Sequence, residues 1–426
     1  MRIKLLATVL LQVLTFFYLY SVPLKGMPFG IGTRILFALF GFIIIVFNLT
    51  KPKKKASTIK RSTLYIFISL LIFLVFSVLT LIVNLSVDLS IIKYFSSFLL
   101  IMVAGYFLLW SYHMVHPDLN FSTIADYVIT AVVMQMIIAL AMFLIPGIYH
   151  FFISIQQTDA ATSERLGVLS GLRLVGFGST FFTSGIVNGY TLILIVAVIK
   201  LNKPKSKALL KYAIAFLLIF TVGMMMARTT LIGASLGLIF LLMPSKRLTV
   251  FSKTTYRFFS IIGKLFLVVL LVYLLLPNED MMLIDNAASF GFEMFLNFMS
   301  GEGLSSESTD DLQTMFKWPT SFKTYMIGDG RFLDIKDPSL YYMQTDVGYL
   351  RLLYYFGVFG LLSFFLIQYT TLKVGYQLYF KEGRVLLLFF LFNFIYILLL
   401  NVKGFTDLFF LNILFCYKFG IQKETK

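Results

Sequence analysis

Apolar runs long enough to cross roughly 30 Å of bilayer hydrocarbon recur along this chain, and their recurrence leaves few folds open. They lie at 5–22, 31–49, 63–84, 90–111, 124–146, 180–199, 209–226, 229–244, 260–276, 347–369, 385–401 and 405–420. In hydrocarbon every backbone N–H and C=O must be satisfied within the protein, so runs of this length are read as helices. The expected fold class is an all-α polytopic membrane protein with about twelve transmembrane helices, the seventh and eighth short and joined as a tight hairpin. Composition agrees, with 59% of the 426 residues hydrophobic and only 13% charged, against about a quarter charged in soluble domains. The first run follows Arg2 and Lys4 without a small-residue cleavage site, so it reads as an uncleaved span.

Charge gives the orientation. The formal net charge of +16 resembles that of a nucleic-acid binder, but the basic residues cluster in short connectors between the apolar runs, which excludes that class. With the N-terminus inside, the inner connectors hold Lys51, Lys53, Lys54, Lys55, Lys60 and Arg61, then Lys200, Lys203, Lys205, Lys207 and Lys211, then Lys246, Arg247, Lys253, Arg257 and Lys264. Lys373, Lys381 and Arg384 follow, and Lys418, Lys423 and Lys426 end the chain. That places 24 of the 36 basic residues inside, as the positive-inside rule requires. Both termini are therefore expected in the cytoplasm. Twelve of the 20 acidic residues fall between Glu279 and Asp346, outside on the same count. The chain thus divides into a bundle at 1–276 (spans one to nine), a large extracytoplasmic loop at 277–346 and a second bundle at 347–426 (spans ten to twelve).

Two outer loops stand out. The first, about 147–179, carries Arg165 and Arg173 in a glycine-rich stretch. The second, about 277–346, is far longer than an ordinary connector. Its segment Ala287 to Met299 carries Phe290, Phe292, Phe295 and Phe298 with few charges, the pattern of an interfacial helix. Ser308-Thr309-Asp310-Asp311 reads as a helix start with acids on the first turn, the helix running to Pro319, and Gly328-Asp329-Gly330 reads as a turn.

Few basic residues fall on the outer side, which makes each informative. Arg228 sits at the tip of the hairpin, before Thr229, Thr230 and the small-residue run Gly233-Ala234-Ser235. An arginine at membrane depth meets an anion or water, so it either snorkels to headgroups or clamps an oxyanion such as pyrophosphate with its planar fork. Arg165 and Arg173 are either a solvated basic loop or part of an anion site that glycine backbone can approach. Arg351 lies one turn into span ten and Asp346 at its mouth. They either pair with each other, or Arg351 faces a ligand while Asp346 acts on an acceptor hydroxyl. Thr183, Ser184 and Asn188 form a polar strip on the outer part of span six that either lines the same cavity or bonds neighbouring helices. No metal-ligand cluster, P-loop or nucleophile elbow occurs, His113, His116 and His150 are scattered, and Cys416 is the only cysteine. No metal or cofactor is expected.

On these residues the chain resembles the Wzy-type O-antigen and exopolysaccharide polymerases, in the superfamily that includes the O-antigen ligases. Arg165 followed by ten residues and Gly176 is similar to an outer-loop pattern of the polymerases. Arg228 opening Thr-Thr-Leu-Ile-Gly-Ala-Ser-Leu-Gly resembles the superfamily's arginine-led helix. Trp318 with Gly328-Asp-Gly330 resembles the end of the large loop, and Asp346-Val-Gly-Tyr-Leu-Arg351 through Gly357 and Gly360 resembles the helix after it. Two departures exist: no arginine precedes Trp318 closely, and no histidine follows His150 where the ligases carry one in the large loop. The second favours polymerase over ligase.

The resemblance implies a glycosyltransferase of the bacterial cytoplasmic membrane. It would join undecaprenyl-pyrophosphate-linked oligosaccharide repeat units on the outer face without metal or cofactor. Arg165, Arg173, Arg228, Arg351 and Asn188 would bind pyrophosphate and glycan, and Asp346 or Asp329 would serve the acceptor hydroxyl. Membrane lipid, a flippase and a chain-length regulator are the implied partners. A ligase-type glycan transferase and a lipid-linked-glycan flippase are the competing functions.

The topology has a direct test. In a Cys416→Ser background, a cysteine introduced by Thr320→Cys is expected to react with a membrane-impermeant maleimide added to whole cells, and one introduced by Lys205→Cys is not. The opposite labelling would overturn the orientation.

Overall fold

A chain this apolar has few ways to satisfy its backbone, and the computed structural model is helical wherever regular structure is described. It describes residues 2–27, 30–50, 61–157, 173–179, 181–244, 252–274, 278–301, 303, 306–337 and 340–417. Among these there is no strand, only isolated bridges. Seven helices are long and apolar enough to cross a membrane, and three apolar helices are shorter. The protein is therefore an all-α, membrane-embedded chain.

The chain divides into two compact units, the first Met1–Leu36, Ser111–Leu304 and Tyr379–Asn393, the second Phe37–Trp110, Ser305–Leu378 and Phe394–Lys426. In chain order the helices are α1 (Arg2–Tyr20), α2 (Thr33–Leu49), α3 (Arg61–Asn84), α4 (Ser90–Val115), α5 (Phe121–Leu144) and α6 (Pro146–Ile155). Then come α7 (Phe181–Asn202), α8 (Ser206–Met226), α9 (Thr230–Leu242), α10 (Lys253–Leu274) and α11 (Asn278–Met299). The rest are α12 (Glu307–Thr314), α13 (Phe322–Met326), α14 (Gly348–Leu378), α15 (Arg384–Lys403) and α16 (Phe409–Asn412).

In the first unit α7 is the central post. It is buried on every side from Ser184 to Lys200, as a helix apolar all round must be, and α5, α8 and α9 pack against it. Where α9 crosses α7, a Cβ on Gly233 would strike the backbone of Gly189. Two bare α-carbons let the helices approach closely enough for dispersion contacts to accumulate. Lys200 closes the other end. Its Nζ donates to the carbonyls of Leu241 (3.2 Å) and Met243 (2.6 Å), so a cation caps the C-terminus of α9. Arg34 does the same for α1, donating to Tyr18 and Leu19.

In the second unit α14 packs along α3 and is broken at Phe356 and Gly357, where the backbone leaves helical geometry. The break frees carbonyls, and the Gly328-Asp329-Gly330 turn takes them. Asp329 N donates to Tyr354 O (2.7 Å) and Gly330 N to Tyr355 O (2.9 Å). The end of α3 satisfies the turn in return. Thr80 donates to Ile327 O, Asn84 to Gly328 O, and Ser86 to Gly330 O. Irregular backbone at such a place persists only when its polar groups are matched in this way. Gly328 (φ +80°) and Gly357 (φ +66°) lie in left-handed conformations, and a Cβ on either would run into the other segment's backbone.

Three expectations need correction. Among its described residues the run at 405–420 forms no spanning helix: it holds the four-residue α16 and a 3-10 turn, Ile413–Phe415, all buried. A four-residue helix rises only about 6 Å, and a short run apolar on every side is a core element rather than a crossing. The loop helix after Ser306 ends at Thr314 rather than reaching Pro319. Beyond it Thr345 donates to Met315 O and Tyr354 to Lys317 O, so tertiary donors take carbonyls that a longer helix would have kept. The helix around Ala287 to Met299 exists but starts nine residues earlier, as α11.

Gly328→Ala adds a methyl at a left-handed position and against the Tyr355 carbonyl. It is expected to cost about 1–2 kcal/mol for conformation plus about 1–3 kcal/mol for overpacking. Gly26→Ala is the control, because Gly26 also has a positive φ (+90°) but has open space around it. Thermal unfolding in detergent should show the Gly328 variant clearly the less stable of the two.

Candidate functional site

The tip of the α8–α9 hairpin in the first unit gathers the most chemistry. Helix α8 ends as Ala227 N donates to Gly223 O, and α9 begins as Thr230 N donates to Ala227 O. The Thr230 hydroxyl also donates to Gly223 O (3.0 Å). This tight turn presents Arg228 sideways to α11. Its Nε donates to Phe290 O (2.8 Å), its guanidinium lies 4.3 Å from the Phe290 ring centroid, and a terminal nitrogen forms an ion pair with Glu293.

Arg173 reaches the same ring from the segment that precedes α7. Leu174 N donates to Met225 O (3.2 Å), which ties that segment to the end of α8. The Arg173 guanidinium then lies 3.4 Å from the Phe181 centroid and 5.4 Å from that of Phe290. Two arginines far apart in sequence thus approach one aromatic ring. Each gains from the ring quadrupole, and together they make a local concentration of positive charge, with the Glu293 carboxylate set against it.

Asn188 lies beneath, in α7, wholly buried. A Cβ on Gly223 would lie 2.8 Å from its Nδ2, so the side chain abuts the hairpin. Neither amide atom of Asn188, nor the hydroxyl of Thr229, meets a hydrogen-bond partner among the described residues. An orphaned buried polar group costs about 1–3 kcal/mol, so water or a ligand is the physical expectation at these atoms. The remainder of the anticipated polar strip divides: Ser184 bonds Ser179, whereas Thr183 is exposed. Arg165 lies outside the described residues.

Arg351, Asp346 and Asp329 belong to the second unit. Arg351 is 9% exposed and is held by aromatic rings, with centroids at 3.4 Å (Tyr341), 4.3 Å (Phe332) and 5.7 Å (Phe405) from its guanidinium carbon. Among the described residues its Nε meets no hydrogen-bond acceptor. Asp346 is exposed and makes no salt bridge with it, acting on it only through longer-range charge. Their pairing as a structural couple is therefore not realised. Asp329 accepts from the Thr324 hydroxyl (2.8 Å) and, at 3.4 Å, from Tyr342. Burial and that carboxylate push the Tyr342 phenol above its ordinary value, which keeps it a donor.

Sequence reasoning passed over three acids. Glu293 meets its arginine only through the tertiary fold. Asp88 and Asp407 had a local signal, since each stands two residues before a helical run and binds a backbone N–H at its start: Ser90 for Asp88, Phe409 for Asp407. Each then reaches further, Asp88 to Phe332 N and Leu333 N, Asp407 to the Tyr94 hydroxyl. Among the described residues no group of three His, Cys, Asp or Glu side chains gathers at metal-binding distances.

No family model matches the chain, and no curated protein or solved structure matches it.

Asp88 yields a pH prediction. Burial raises its carboxyl, but hydrogen bonds from Ser90, Phe332 and Leu333 outweigh this and hold it below its usual value. A depressed carboxylate stabilises the fold above its unfolded value, about pH 4, and that contribution is lost as pH falls through the still lower folded value. Asp88→Asn should therefore melt below wild type at pH 7, with the gap closing under about pH 4. A gap that is constant over that range would exclude the charge as its source.

Proposed function

We propose that the protein is a polysaccharide polymerase of the bacterial cytoplasmic membrane, a glycosyltransferase that joins polyprenyl-diphosphate-linked oligosaccharide repeat units on the outer face. The observation that carries the reading is the convergence of Arg173 and Arg228 on the Phe290 ring at the hairpin tip, which the charge-derived topology assigns to the outer side. The reaction needs no energy source beyond its donor. The acceptor hydroxyl oxygen attacks the anomeric carbon, the bond from that carbon to the diphosphate oxygen breaks, and the diphosphate leaves with the electron pair. Charge grows on the leaving oxygen as the bond lengthens, and guanidinium forks held against rings and backbone are pre-aimed to stabilise it.

The hydroxyl proton leaves to a base or to water. Within the second unit, taken by itself, the two carboxylates that the resemblance implies differ: Asp346 is exposed and accepts no hydrogen bond among the described residues, whereas Asp329 accepts from Thr324 and Tyr342.

A lipid-linked-glycan flippase is the second reading, favoured by the broken helix α14, because transporters bind substrate where spanning helices unwind. Here the Tyr354 and Tyr355 carbonyls at the break are taken by Asp329 N and Gly330 N, which leaves them unavailable to a transported ligand and keeps the polymerase reading ahead.

Purified protein in lipid nanodiscs, given lipid-linked repeat units without metal or nucleotide, is expected to produce a ladder of longer glycans. Arg228→Ala should slow growth by about 100- to 1,000-fold, the usual loss when one oxyanion donor is removed. Failure of the wild type to extend glycans, or wild-type rates in the Arg228 variant, would overturn the proposal.

A further inference from the structure

The proposed reaction makes no use of the ion pair between Arg228 and Glu293. Helix α11 nevertheless holds that arginine at three points: the Phe290 carbonyl, the Phe290 ring and the Glu293 carboxylate. Gly291 sets the approach. A Cβ there would lie 2.9 Å from the carbonyl carbon of Met224, so only a bare α-carbon lets this face of α11 sit against the end of α8. The two charged side chains are well covered, at 10% and 25% exposed. Further along the same helix Phe295, Leu296, Phe298 and Met299 are exposed.

A carboxylate and a phosphoryl group ask the same thing of a guanidinium, two oxygens in the plane of its N–H fork. An anion arriving at Arg228 must therefore displace Glu293 or bear its repulsion. A lipid monophosphate brings a single phosphoryl group to that contest. A lipid diphosphate brings two, and the second has Arg173 within reach of the same Phe290 ring. Engagement at two points raises apparent affinity with no change in either contact.

Resting on the reading of Arg173 and Arg228 as a diphosphate site, we infer that Glu293 is a specificity-determining residue. It is a built-in competitor anion that sets a threshold at Arg228, which polyprenyl diphosphates pass and polyprenyl monophosphates do not. Discrimination arises because the resident carboxylate penalises the weaker, one-point ligand more than the two-point ligand.

The test is to titrate farnesyl diphosphate and farnesyl monophosphate into the full-length protein in nanodiscs. Wild type should prefer the diphosphate by at least about tenfold. Glu293→Gln should bind the monophosphate about tenfold more tightly, the equivalent of one charge-assisted hydrogen bond no longer contested. It should gain less for the diphosphate, so the preference shrinks. Glu293→Asp keeps the charge and should keep the wild-type preference, and a melting temperature near wild type shows each variant folded. An unchanged preference in folded Glu293→Gln, or loss of affinity for both probes, overturns the inference and leaves the diphosphate site standing. Absence of binding of either probe to wild type, or wild-type binding in Arg228→Ala, overturns the diphosphate site and this inference together.

Discussion

A guanidinium embedded in an apolar bundle must find acceptors or aromatic faces, and each unit of this protein is arranged locally around one that does. In the first unit Arg228 gathers a carbonyl, a ring and a carboxylate from one short stretch of α11. In the second Arg351 is enclosed by the rings of Tyr341, Phe332 and Phe405, and among the described residues no carboxylate forms an ion pair with it. The two solutions differ in consequence. A ring attracts a cation without neutralising it, so an arginine held by rings keeps its appetite for an anion. An arginine held by a carboxylate has that appetite partly met, and any further anion must compete.

The same accounting applies to the backbone. The break in α14 and the Gly328–Gly330 turn are individually unfavourable, one a helix with carbonyls exposed, the other a pair of left-handed residues. Together they satisfy one another, and the polar side chains at the end of α3 satisfy what is left. Such matched irregularity fixes a loop segment rigidly on a membrane-embedded helix without a large hydrophobic interface. The Gly-Asp-Gly motif is thus explained first by architecture. Asp329, at its centre, points its carboxylate to Thr324 and Tyr342, in keeping with that structural part.

Much of the helical plan was legible because membrane helices are specified by length and apolarity, both local properties. Eleven of the twelve expected runs coincide with helices, and seven of those helices meet the length and composition of a span. The run ending near Cys416 misled because a buried core segment and a short span are equally apolar; only the buried surroundings of α16 distinguish them. The end of α12 misled because Pro319 is a strong stop, whereas the signal that ended the helix sooner came from Thr345 and Tyr354, distant in sequence. Among site residues, Arg228 and Asn188 were recognisable as polar groups out of place in apolar sequence, and Arg173 as a rare basic residue in a glycine-rich loop expected outside. Glu293 was not, because an acid on an amphipathic helix is ordinary until its partner is known.

That last blind spot bears on how sites of this kind are read. Scarcity of charge makes a membrane-depth arginine conspicuous, and it is natural to count every carboxylate near it as neutralisation. Yet a carboxylate with a quarter of its side chain exposed is a replaceable partner, since it regains hydration when displaced. A fully buried pair would lock the arginine, because an abandoned buried charge costs several kcal/mol. The intermediate burial of Arg228 and Glu293 therefore separates two designs that look alike on a list of contacts: a structural clamp, and an anion site that holds its own substitute until a better anion arrives.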